Sequence, residues 1–299
     1  MVPSIAVSAR RLHDINKSGW LQLLGLIPLI GLIISPMQSS LSATKILIGL
    51  NAAVYLLVYV LMPGQENLWN LLPLYFPGNG LYRPWQFVTS LFMHANTGHL
   101  FFNMFALFSF GSLLERIWGA KRFVIFYLVV GLGAGFIYTA VNQIEFRSLR
   151  GNMMEAGFQS EQLDAVGEFS EPRSFALRLL QQNPAAFQNI EPETVMDLFM
   201  TYHIPVVGAS GAIYGILTAF GLLFPNAKLS LLFLPVPIAA KYFIPALLLM
   251  DLFSGVTGFS LFGGGIAHFA HLGGALIGFL LMLLWKKELS GIDRTVQFS

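Results

Sequence analysis

The chain has 299 residues, of which 55% are hydrophobic and only 11% charged. Soluble domains carry roughly a quarter charged residues, so this chain lacks the polar cover of a water-exposed surface. A net charge of +2 with no basic stripe gives no grip on nucleic acid, and the absence of cysteine excludes disulfides and thiolate metal sites. Apolar runs long enough to cross ~30 Å of hydrocarbon recur along the sequence. They are read at Lys45–Met62, His99–Trp118, Phe123–Asn142, Pro205–Phe224, Pro237–Ser254 and Ala267–Trp285. The expected fold is therefore an all-α membrane protein, a bundle of six transmembrane helices. An extra hydrophobic segment precedes the bundle, and an insertion interrupts it on its outer side.

Residues 1–43 form a basic and apolar N-terminal segment. Arg10, Arg11 and Lys17 precede Leu21–Ser35, an apolar run that is short for a span. That run resembles the last helix of a small family of uncharacterised bacterial inner-membrane proteins. Two readings stay open: a signal peptide with its cleavage region at Ser39–Ala43, or an interfacial or re-entrant segment. The bundle itself comprises residues 44–142 and 203–287, followed by a cytoplasmic tail, 288–299. Lys45, Arg116, Lys121, Arg122, Lys228, Lys286 and Lys287 all fall on one side if six spans alternate, which makes that side cytoplasmic. Pro63–Thr97, Gln143–Ile204 and Gly255–Ile266 then lie outside. Gln143–Ile204 holds nine of the fifteen acidic residues against four arginines. We read residues 143–202 as a water-exposed, partly helical insertion. Without an organelle-targeting pattern, the chain is assigned to a bacterial inner membrane, with its site opening outward.

Three short motifs carry chemistry. Gly208-Ala209-Ser210-Gly211, followed by Tyr214 and Gly215, sits at the outer end of the fourth span. Alone, it also fits a small-residue packing face. His268 and His271 lie at the outer end of the sixth span, where an imidazole is costly without a partner or water. Gly211 and Gly215 on one helix, and Gly274 and Gly278 on the other, are spaced four apart and let backbones approach closely. Ser210 lies about five residues below the start of its span and His271 about four below its own, so both sit roughly 6–8 Å deep. A serine and a histidine at equal depth can form the hydrogen bond that activates a nucleophile. Tyr214 shares the Ser210 face and can stack on His271. Because Asp251 belongs to the fifth span, we expect no acidic residue beside His271: a dyad, not a triad. His99 and Asn103, one turn apart at the start of the second span, can donate to an oxyanion, as can the Ser210 backbone N–H. His94 is read as a brace for the preceding loop.

Together, His94-x4-His99-x3-Asn103, Gly208-x-Ser210-Gly211 with Tyr214, and Ala267-x3-His271-x2-Gly274-x3-Gly278 resemble the rhomboid family of intramembrane serine proteases. The resemblance runs from Lys45 to Trp285. Trp85 in Arg83-Pro84-Trp85-Gln86 resembles part of a family motif, although the usual Trp-Arg order is absent. The resemblance implies a six-helix core, Ser210 as nucleophile, His271 as general base, and His99 and Asn103 as oxyanion stabilisers. It implies no cofactor, and transmembrane protein substrates met within the lipid bilayer. Oligomeric state is not implied. Two alternatives stay open: a catalytically inactive relative that binds membrane clients, and a histidine metal site. The spacings His268-x2-His271 and His94-x4-His99 suit a metal, but no carboxylate stands near them in sequence, so no metal is assigned. No internal repeat of the kind transporters carry is visible.

Overall fold

A computed structural model describes residues 42–64, 66–231, 234–259 and 267–289. The expectations for the first 41 residues, for 260–266 and for the last ten lie outside them.

Helix α1, Ala43–Leu56, begins where the Ser42 side chain accepts the Lys45 N–H, and runs on through a π turn to Leu61. Its first N–H groups have no partners within the helix. Glu115 supplies them: Ala43 N donates to Oε1 at 2.6 Å, and Thr44 N and Oγ1 donate to Oε2 at 2.9 and 2.6 Å. A carboxylate buried at the positive end of a helix is a stable arrangement. Helix α2 starts at Thr97 under an Asn96 cap and reaches Trp118 through a π turn at Leu107–Gly111. Gly119, at φ +79°, turns the chain into α3, Ala120–Glu155.

The α3 helix does not stop at Asn142, as the hydropathy pattern suggests. It continues to Glu155 because Phe146, Leu149 and Met153 extend an apolar stripe onto the insertion. There, α4 (Pro172–Gln182) and α5 (Pro192–His203), each with proline in its first turn, bury Phe158, Phe175, Leu179, Leu198 and Phe199 with Met153. The insertion is thus a small helical unit with its own core, and a good deal more ordered than a solvated loop.

Helix α6, Ser210–Leu223, is the axis of the bundle, packed most extensively against α8 (His268–Leu289) and also against α3 and α7 (Ala240–Thr257). Among the described residues, five helices are long and apolar enough to cross a membrane: Ala43–Leu61, Thr97–Trp118, Ala120–Glu155, Ala240–Thr257 and His268–Trp285. The sixth apolar helix, α6, is shorter. The expectation of a helical membrane bundle holds, with two local differences besides the length of α3. The fifth span begins at Ala240 rather than Pro237, because a hairpin precedes it. Its strands β1 (Lys228–Leu231) and β2 (Leu234–Ala239) pair antiparallel, with Lys228 opposite Ala239. Pro237 keeps this stretch out of the helix. The second difference, the start of α6, bears on the site.

Candidate active site

Ser210 is the first residue of α6, not one turn inside it. Pro205 and Gly208 oppose a helix upstream, and the backbone is pinned in other ways. Val206 exchanges hydrogen bonds with Leu74 at 2.9 and 3.0 Å, and Gly208 N donates to Ser90 O at 2.9 Å. Gly208 adopts φ +121°, a conformation that side chains rarely take. A Cβ there would lie 2.7 Å from His99 Cε1 and 2.8 Å from Nε2. Only glycine therefore lets the chain pass the His99 ring and deliver Ser210. Because Ser210 opens the helix, its N–H belongs to the four that α6 cannot satisfy internally, at the helix's positive end.

The loop that pins this strand is itself held by Gln86, which is fully buried. Its Oε1 accepts the N–H groups of Tyr75 and Arg83, and its Nε2 donates to Asn70 O and Leu81 O. Trp85 Nε1 donates to Leu71 O at 3.1 Å. The insertion anchors to the same loop: the Tyr202 hydroxyl donates to Gly78 O, and Asn79 Nδ2 donates to Tyr202 O.

The expected meeting of α6 and α8 occurs. Ser210 Oγ lies 2.9 Å from His271 Nε2. The Tyr214 ring stacks on the His271 ring, with centroids 4.2 Å apart and planes 14° from parallel. The glycine strips bring the helices into backbone contact: a Cβ on Gly274 would meet the Gly211 carbonyl, and one on Gly278 would lie 2.6 Å from Gly215 Cα.

The expectation that no acid stands beside His271 is overturned. Asp251 Oδ1 lies 3.2 Å from His271 Nδ1 and 2.5 Å from His268 Nδ1. Sequence distance hid this, because α7 packs on α8 and brings Asp251 to the face where both imidazoles point. The three side chains, with donor atoms within 4.8 Å of one another, also form a group able to accept a metal ion, so the stated lack of a nearby carboxylate falls away. Their spacing is nevertheless that of hydrogen bonds. Two atoms each ~2.1 Å from one zinc in tetrahedral array stand well over 3 Å apart, so the 2.5 Å pair would have to separate.

On α2, the Asn96 side chain accepts the His99 N–H at 2.9 Å and so fixes the first turn. The Ala95 N–H donates to His99 Nδ1 at 3.4 Å. An accepting Nδ1 leaves the ring proton on Nε2, the atom that faces Gly208. The proton-bearing nitrogen thus faces the turn before Ser210. Asn103 is turned differently: its Nδ2 donates at 2.8 Å to His99 O in its own helix, and its buried Oδ1 has no partner among the described residues. One amide hydrogen remains for other use. His94 is fully buried, edge-on to His99 with centroids 5.0 Å apart. Burial first, and the His99 charge second, push its ring down to about 3, so it stays neutral, and neither ring nitrogen has a hydrogen-bond partner among the described residues to brace the loop.

The family model of the Rhomboid domain matches residues 82–147 and 188–288, more than half of the chain. This chain belongs to the rhomboid family. The unmatched interval, 148–187, falls inside the insertion. Residues 1–69 separately match the model of a protein of unknown function, DUF805. Among rhomboid relatives, the chain is 26% identical over 205 residues to the mouse mitochondrial presenilin-associated rhomboid-like protein, covering 67% of this chain and 39% of that one. It is 26% identical over 238 residues to an uncharacterized mitochondrial rhomboid protein of Schizosaccharomyces pombe, covering 77% and 57%. To the rhomboid protease GluP of Bacillus subtilis it is 36% identical over 58 residues, covering 18% and 11%. The chain spans less than two thirds of the length of these relatives. Several relatives are named as mitochondrial, so the expected bacterial inner membrane gains no support from them.

Proposed function

We propose that this rhomboid is an intramembrane serine endopeptidase that cleaves transmembrane segments of other membrane proteins. The observation that carries the reading is the 2.9 Å contact between Ser210 Oγ and His271 Nε2 on two helices locked together by glycines. Ser210 is the nucleophile and His271 the general base: as Oγ bonds to the substrate carbonyl carbon, its proton passes to Nε2. His271 then returns that proton to the leaving amine, and water repeats the sequence to release the acyl enzyme. The oxyanion is met by the Ser210 N–H at the start of α6 and by His99 Nε2–H, with the second Asn103 amide hydrogen as a further donor. A substrate helix hides its carbonyls in its own hydrogen bonds, so it must unwind locally before attack. The site opens to the outer side of a multi-pass membrane protein.

Reaction with a fluorophosphonate probe tests this directly. Purified protein labels, while Ser210→Ala and His271→Ala do not. Normal labelling of Ser210→Ala would remove that residue from the mechanism and end the protease reading.

A further inference from the structure

Asp251 lies in the middle of an apolar helix and is only 4% exposed. A carboxylate in such surroundings is expensive unless it is paired and hydrogen-bonded. Its partners are the two imidazoles of α8, which share a single carboxylate oxygen. Its second oxygen, Oδ2, is buried without a hydrogen-bond partner among the described residues.

Hydrogen-bond bookkeeping fixes the direction of each contact. For attack, Ser210 O–H must donate to His271 Nε2, which leaves that nitrogen without a proton. A neutral imidazole then carries its proton on Nδ1, and the acceptor within reach is Asp251 Oδ1 at 3.2 Å. His268 Nδ1–H donates to the same oxygen from the other side. The groups facing the His271 ring are Ser210 and Tyr214 from α6, Asp251 from α7, His268 from its own helix, and His99 from α2, close enough to feel its charge. Only Asp251 among these is an anion.

We infer that Asp251 is a positioning residue for the base: it holds His271 in the tautomer that accepts the serine proton and steadies the imidazolium that forms, while His268 competes for the same oxygen. The inference rests on the serine-protease reading. During attack, the serine proton moves to Nε2, Nδ1–H stays in place, and the carboxylate remains ionised. His268 acts as a brake, because a second donor on Oδ1 draws on its charge and weakens the bond that oxygen makes to His271. The arrangement is thus a serine, a base and a divided acid.

The test is the pH dependence of fluorophosphonate labelling and of reporter cleavage in the full chain. Asp251→Asn slows labelling by about 10²–10⁴-fold, since an amide can turn its NH₂ to Nδ1 and impose the wrong tautomer. An anion favours a protonated imidazole, so its loss moves the acid limb of the profile to lower pH. Asp251→Glu restores part of the rate and returns the limb toward the wild-type position. His268→Leu, which removes the competitor, moves the limb to higher pH, and it decides the matter should Asp251→Asn fail to fold. The inference is overturned if folded Asp251→Asn labels at the wild-type rate with an unmoved acid limb, or if His268→Leu leaves the limb where it was. Stoichiometric zinc in the wild type, lost in Asp251→Asn, overturns it too and makes the group a cation site. These outcomes are separate from failure of the protease reading, which shows as normal labelling of Ser210→Ala.

Discussion

Substituting Gly278 by alanine tests whether the glycine strips set the Ser210–His271 distance. The new Cβ would lie 2.6 Å from Gly215 Cα and 3.0 Å from Gly215 O, backbone atoms that no rotamer change can move. Ordinary contact begins near 3.4 Å, so α6 and α8 must part by about 0.8 Å at that level. Overpacking of this kind costs about 1–3 kcal/mol. Gly278 lies two turns below His271 on the same helix, so part of the displacement reaches the 2.9 Å contact. Misplacement of reacting groups by about 1 Å slows chemistry roughly 10²-fold, and a partial shift here predicts a loss of about 10- to 10²-fold. The assay is the rate of fluorophosphonate labelling, with thermal unfolding in the same detergent. Gly49→Ala is the control, since nothing lies within 4 Å of its Cβ. Wild-type rate and melting temperature in Gly278→Ala would refute the argument that backbone contact sets the site.

Gly208→Ala should lose labelling by more than about 10²-fold, because the substitution both strains a positive-φ turn and drives a methyl group into the His99 ring; near-normal labelling would show that the turn relaxes freely. Glu115→Ala should lower stability by about 2–4 kcal/mol, since it strands the N–H groups of Ala43 and Thr44 and the Thr44 hydroxyl, and denaturant titration reads it. His94 has a folded pKa of about 3, below the ordinary 6.5. The unfolded chain therefore binds the extra proton between those values, and stability falls as pH drops from 6.5 toward 3, by up to about 1.4 kcal/mol per unit. His94→Phe should flatten that acid dependence in melting curves, and an unchanged slope would show that the ring is not buried neutral.

The pairing of Ser210 with His271, the Tyr214 stack and the glycine contact were legible, because matched depths, glycines four apart and the resemblance to rhomboids directed the two helices toward each other. Asp251 was not, since its partners depend on how α7 crosses α8, which no spacing within either helix encodes. A signal did exist: an acid inside an apolar span implies a partner at the same depth, and the two imidazoles of α8 were available. The start of α6 was misplaced because hydropathy does not see hydrogen bonding. Val206 and Ala209 are apolar enough to extend a span, yet Pro205, positive-φ Gly208 and the pairing with Leu74 hold Val206 in a β-bridge and leave Ala209 as the cap of α6. The length of α3 was missed for the converse reason, as the polar Asn142 and Gln143 masked an apolar stripe that continues past them. The two imidazoles at positions 94 and 99 look alike in sequence, and only their surroundings separate a buried neutral ring from one whose Nε2 carries the proton toward Ser210.

The unbroken α3 has a mechanical consequence. At 1.5 Å per residue this 36-residue rod is about 54 Å long. Near one end it meets Leu91, Ala212 and Ile277 through Gly131 and Gly133, lining the wall of the cavity next to Ser210. At the other it is built into the insertion's own core. With no joint between them, a displacement of the insertion's core tilts the wall against which Ser210 rests.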